Sequence, residues 1–70
     1  MPKIEFTLKT EYIELFKLLK LLGLCESGGF AKQVIADSRV KVNGVIETRK
    51  AFKVRPDQKI EFDGQMIVTL

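Results

Sequence analysis

Val40-Lys41-Val42-Asn43-Gly44-Val45-Ile46 sets two β-branched runs on either side of an Asn-Gly pair. Asn-Gly tolerates positive φ at both central positions, which a tight type I′ turn requires, so the stretch predicts a β-hairpin. Along its first arm Arg39 and Lys41 alternate with Val40 and Val42. Side chains alternate across a strand, so both basic groups are expected on the face opposite the valines. Downstream, Arg49-Lys50 falls in a connection. Phe52, Val54, Ile60 and Phe62 predict short strands around a Pro56-Asp57 turn. Asp63-Gly64 repeats the hairpin signal, and Met66 to Leu70 gives a closing strand.

Upstream of the hairpin the period changes. Phe30, Ala31, Val34 and Ile35 fall on one helical face, so a helix is expected from Gly28 to about Asp37, with Ser27 as its cap. Two glycines in its first turn cost about 1 kcal/mol each relative to alanine. Their presence calls for a close approach of a partner or of another part of the chain. A first helix is expected from Glu11 to about Leu22, capped by Thr10, with Glu11 and Glu14 in its first turn and Gly23 beyond its end. Ile13, Leu15, Phe16, Leu18, Leu19, Leu21 and Leu22 cover most of its surface. Such a helix has to be buried on most sides, with Lys17 and Lys20 along its one wet line. Ile4, Phe6 and Leu8 alternate with Glu5, Thr7 and Lys9 as in a half-buried strand. The whole reads as an α+β fold in which two helices precede a small, mostly antiparallel sheet.

Seventy residues, 46% apolar and 30% charged, describe one small folded domain over residues 1–70. No apolar run approaches the roughly 20 residues of a membrane span, and the first residues lack the apolar block of a secretion signal. Cys25 is the only cysteine and there is no histidine. The expected location is cytoplasmic.

The charge is unevenly spread. Residues 1–31 are balanced, and residues 56–70 carry Lys59 against Asp57, Glu61 and Asp63. Residues 32–55 carry seven basic side chains against Asp37 and Glu47, a net +5. Such a block creates a positive field that attracts polyanions, although a plain solvated surface has the same composition. Catalysis is not expected. Cys25 has no histidine to activate it, Ser27 and Ser38 have no base, and Asp57, Glu61 and Asp63 lack an opposed acid or a metal set. No cofactor motif appears, and Gly28-Gly29 falls far short of a phosphate-binding Walker loop. The Ser27-Gly28-Gly29 helix start reads either as a plain serine cap or as an anion site, with Lys32 in reach of the same anion. If the hairpin lies beside the second helix, Lys32, Arg39, Lys41, Arg49 and Lys50 share one surface, with Lys53 close by. Phe30 and Phe52 are expected in the core, which favours recognition of backbone and shape over base stacking.

Taken in order, Leu18-Leu19-Lys20, Gly23-Leu24, Glu26-Ser27-Gly28-Gly29-Phe30-Ala31-Lys32, Val40-Lys41-Val42-Asn43-Gly44 and Val54, Pro56, Ile60-Glu61-Phe62 resemble the RNA-binding domain first recognised in ribosomal protein S-four, the S4-like or αL motif. The resemblance covers about residues 13–62 and is closest to a small bacterial branch in which the domain stands alone. It implies two helices packed on a small bent sheet, with ribosomal or transfer RNA as partner. It implies binding roles for Ser27, Gly28, Lys32, Arg39, Lys41, Asn43, Arg49 and Lys50, to which the helix entry adds Gly29 and the basic block adds Lys53. Two positions depart from the family pattern. Glu14-Leu15-Phe16 stands where many members carry Arg-Leu-Asp, and Phe30 stands where many carry a glutamate that completes a capping box. A protein-interaction module whose basic face meets an acidic protein partner is the alternative reading, and the ribosome or a protein is the further partner expected beside RNA.

Overall fold

The Asn43-Gly44 turn takes the conformation its residues favour, with φ of 52° and 83°. It joins β3 (Val40–Val42) to β4 (Val45–Ile46). Asn43 also does something its turn role does not require. Its Oδ1 accepts from the Lys59 amide at 3.0 Å, and its own amide donates to the Lys59 carbonyl at 2.7 Å. The turn is thereby tied to the start of β6 (Lys59–Phe62), which pairs antiparallel with β3. Asp63-Gly64 makes the second tight turn, again with two positive φ values, and leads into β7 (Gln65–Thr69).

The computed structural model describes residues 3–70, and Met1 and Pro2 lie outside the described residues. The other elements are β1 (Lys3–Phe6), β2 (Ile13–Glu14), α1 (Leu15–Leu21), α2 (Gly28–Ala36) and β5 (Lys53–Val54). Five strands form a sheet in the order β1-β7-β6-β3-β4, antiparallel except where β1 runs parallel to β7. β2 and β5 form a separate two-stranded ribbon. The fold is the expected α+β arrangement of two helices with a mostly antiparallel sheet. No helix among the described residues is long and apolar enough to cross a membrane.

One core cluster unites the layers. It takes Leu15, Leu18 and Leu19 from α1, Ala31, Val34 and Ile35 from α2, and Val40, Val42, Ile60, Phe62 and Ile67 from the large sheet, with Val54 and Cys25. Burial pushes the Cys25 thiol above its usual range, so it stays protonated and inert. Thr69, the buried polar residue of this set, is satisfied. Its Oγ1 donates to the Arg55 carbonyl and accepts from the Gln58 amide at 2.9 Å, which fixes the 55–58 turn against β7.

Helix 1 differs from its sequence pattern. It begins at Leu15 rather than Glu11, and Glu14 rather than Thr10 occupies the capping position, without a side-chain capping bond. Thr10 instead donates to the Tyr12 carbonyl. The physical reason is tertiary: Ile13 and Glu14 are extended because they pair with Val54 and Lys53. The helix is also wetter than its composition demands. Leu21 is 63% exposed, so only one face, not most sides, is buried. Phe30 corrects the expected apolar face of α2 in the same way, at 43% exposed while Ala31, Val34 and Ile35 are buried.

Candidate nucleic-acid interface

The start of α1 is built by a distant loop. A helix leaves its first amides without internal partners. Here Leu15 N–H donates to the Phe52 carbonyl at 2.9 Å and Phe16 N–H to the Lys50 carbonyl at 3.2 Å. The basic segment 49–53 therefore replaces a side-chain cap, and in doing so is pinned beside α1. The Phe16 ring lies at this junction. Lys32 Nζ sits 4.7 Å from its centroid and Lys17 Nζ 5.9 Å. Lys17 is engaged by Glu14 at 2.9 Å, whereas Lys32 meets no carboxylate within ion-pair distance among the described residues.

The start of α2 reaches the same ring. Ser27 caps this helix, its Oγ accepting from the Phe30 amide at 3.1 Å. That leaves the earlier amides, of Gly28 and Gly29, as the ones a helix offers to solvent or to an anion. A Cβ on Gly28 would meet Phe16 at 3.8 Å and one on Gly29 would meet Ser27 Oγ at 3.9 Å, both ordinary contacts. Neither glycine has a positive φ. No close approach within the fold accounts for these glycines.

Residues Thr48 to Lys53 line an open hollow of about 600 Å³. Arg49, Lys50 and Lys53 face it together with Phe52, and no carboxylate lines it. The Arg49 guanidinium carbon is 5.2 Å from the Phe52 centroid. It is also held by Glu47, with Nε donating to Oε2 at 2.9 Å and a second bond from Nη2 to Oε1 at 3.1 Å, while the Arg49 amide donates to Oε2 as well. These bonds hold the Glu47 carboxyl below its usual range. A depressed carboxyl keeps its pair at neutral pH and loses it as pH falls through the depressed value. Arg49 is thus a partly neutralised cation, and Lys50 is the more available one.

Three expected site residues lie elsewhere. Arg39 follows the far end of α2 from Gly28, with its guanidinium 5.6 Å from the Phe62 centroid. Lys41 stands directly opposite Glu61 across β3 and β6, and both basic residues line a small hollow shared with Glu61, Asp63 and Gly64. Asn43 is spent on Lys59. The seven basic residues therefore do not form one patch. Arg49, Lys50 and Lys53 line the hollow with Phe52, on the loop whose Lys50 carbonyl receives the Phe16 amide, and Lys32 lies over the Phe16 ring. Arg39 and Lys41 sit among acids, because the strand alternation that exposes them also places them beside β6.

Sequence reasoning missed Phe16, Tyr12 and Arg55. Phe16 packs against the core, as its place in the apolar run suggests, and also seats Lys32. Tyr12 carries Lys53 Nζ at 5.1 Å and the Arg55 guanidinium at 5.8 Å from its centroid. No local signal reveals this, since it arises only when β2 pairs with β5.

The S4 domain family matches residues 6–69. The YbcJ proteins of Escherichia coli K12 and Shigella flexneri are each 46% identical over 59 residues, covering 84% of this chain and 84% of theirs. The solution structure of Escherichia coli YbcJ, described as revealing an αL motif involved in RNA-binding, superposes with a TM-score of 0.67 at 45% identity, covering 91% of this chain and 85% of that one. The crystal structure of 30S ribosomal protein S4e from Thermoplasma acidophilum also gives 0.67, at 27% identity over 83% of this chain and 31% of that one. Together with two helices against this mixed sheet, a match spanning nearly the whole sequence makes the chain a member of the S4 domain family, with the αL fold.

Proposed function

We propose that this chain is a non-catalytic, cytoplasmic RNA-binding protein that holds structured RNA, ribosomal or transfer, by its phosphate backbone. The observation that carries this reading is the Phe16 ring at the start of α1, which Lys32 and Gly28 approach from α2 and whose amide is bonded to the loop that carries Lys50 and Lys53. In the mechanism, one phosphate sits on the Gly28 and Gly29 amides beside Lys32 Nζ, which Phe16 has already oriented. Neighbouring phosphates are met by Lys50 and Lys53 along the hollow. Arg49 joins only when a phosphate displaces Glu47. Arg39 and Lys41 contribute field rather than direct contact, since Glu61 and Asp63 lie beside them. The description of YbcJ as carrying an RNA-binding motif, and the ribosomal identity of the S4e neighbour, support the same partner class.

The test is recovery of the full chain from a cell extract with and without ribonuclease. RNA binding predicts co-purifying ribosomal or transfer RNA and loss of the assembly on nuclease treatment. A protein complex of fixed composition that survives nuclease would replace this reading with the acidic-partner alternative.

A further inference from the structure

The β2–β5 ribbon carries an aromatic ring and two cations that the mechanism above does not use together. Ile13 pairs with Val54 and Glu14 with Lys53, so the antiparallel register sets Tyr12 opposite Arg55 and diagonal to Lys53. Val54 is fully buried, which turns Lys53 and Arg55 to the outer face. There they flank Tyr12, which is 37% exposed. Neither cation meets a carboxylate within ion-pair distance among the described residues. Glu14, the register partner of Lys53, is occupied by Lys17. Nothing in the fold needs this arrangement: the ring is not core, and the cations have no acid to serve.

We propose that Tyr12, Lys53 and Arg55 form a site for one unpaired nucleotide at the margin of the basic face. The base stacks on the Tyr12 ring, and the phosphates on its two sides take Lys53 and Arg55. An exposed cation–aromatic contact is weaker than a base–aromatic stack, so exchanging one for the other is favourable once phosphates draw the cations off the ring. Lys53 also lines the 48–53 hollow, which makes the site continuous with the proposed phosphate path. Glu11 and Glu14 share a hollow with Tyr12 on the β2 strand, and Lys53 and Arg55 stand on β5 and just beyond it, so the strand enters from the β5 side. A site of this kind selects RNA with a single-stranded flank or loop over a blunt duplex, because a paired base cannot leave its stack without cost. The inference rests on the RNA-binding reading and adds to it a preference for an unpaired base.

Tyr12 is the only tyrosine and there is no tryptophan, so the intrinsic emission of the full chain reports on this ring alone. The chain is titrated with a labelled single-stranded hexauridylate, with inorganic polyphosphate and with a blunt RNA duplex, binding being followed independently by anisotropy or competition. The expected result is saturable quenching of Tyr12 by the hexanucleotide and none by polyphosphate. Tyr12→Leu should weaken hexanucleotide binding roughly 5- to 100-fold, and Tyr12→Phe should retain it. Circular dichroism melts show that both variants are folded. Hexanucleotide binding with unchanged emission, equal quenching by polyphosphate, or equal affinity of Tyr12→Leu and wild type overturns the stacking site. Binding of the duplex without the hexanucleotide also overturns it, while leaving the RNA-binding reading intact. Binding of neither RNA removes both.

Discussion

Reversing Lys32 and Lys50 together, as Lys32→Glu with Lys50→Glu, is expected to weaken RNA binding about a hundredfold at about 0.1 M salt. Each phosphate neutralised releases close to one counterion, which at that salt contributes roughly a factor of ten. Two lost contacts also lower the salt slope by about 2. These two lysines are chosen because their partners leave them available: Lys32 rests on Phe16, and Lys50 has no ion pair among the described residues. The stability cost is small. An exposed cation–aromatic contact contributes about 0.5–1 kcal/mol, and Lys50 serves α1 through its backbone carbonyl, which the substitution keeps. A filter-binding titration beside a thermal melt separates the two effects. Retained affinity in a folded double variant would move the interface away from the α1–α2–loop junction. Arg49 is the poorer choice for this experiment, since Glu47 already neutralises it and a glutamate there would set two carboxylates side by side.

Leu19→Ala is expected to cost about 2–5 kcal/mol of stability. Leu19 is fully buried in the cluster that joins α1 to α2 and the sheet. Its carbonyl also accepts from the amides of Leu24 and Cys25, which fixes the turn out of the helix. A chain of this length has only about 4–10 kcal/mol to lose, so the variant gives up a large share of its stability. Leu21→Ala is the internal comparison. It lies two residues away on the same helix, yet its side chain faces solvent, and truncation there should stay within about 0.5 kcal/mol. Chemical denaturation of the pair measures both. Equal costs would mean that α1 is buried against something on both faces.

That contrast marks where sequence reasoning ends. Leu19 and Leu21 are the same residue type in one apolar run, and nothing local tells them apart. What was legible depended on residues with strong local preferences. Asn43-Gly44 and Asp63-Gly64 force their turns, Ser27 caps α2, and the Val40/Val42 alternation fixes which face of β3 is buried. Illegible were the features created by pairing distant segments. The 50–52 carbonyls displace Thr10 as the cap of α1, the two-residue ribbon converts the expected first helical turn into a strand, and β1 joins β7 in parallel. The site divides the same way. Ser27, the glycines and Lys32 could be placed from their spacing on one helix. The grouping of Lys50 and Lys53 with them, and the separation of Arg39 and Lys41, follow from the loop–helix bonds and the β3–β6 register. Phe30, at the third position of α2, is exposed although it shares the apolar pattern of the buried Ala31, Val34 and Ile35.

In the proposed mechanism, RNA is held by phosphate neutralisation through the cations that no carboxylate engages among the described residues, at that junction and beside Tyr12. The direct measurement is the affinity of the wild-type chain for one structured RNA over a range of salt. Lys32, Lys50 and Lys53, with Arg55 beside Tyr12 as a fourth contact, predict that log affinity falls linearly with log salt at a slope of roughly −3 to −3.5. A slope near zero, with affinity retained at high salt, would contradict it.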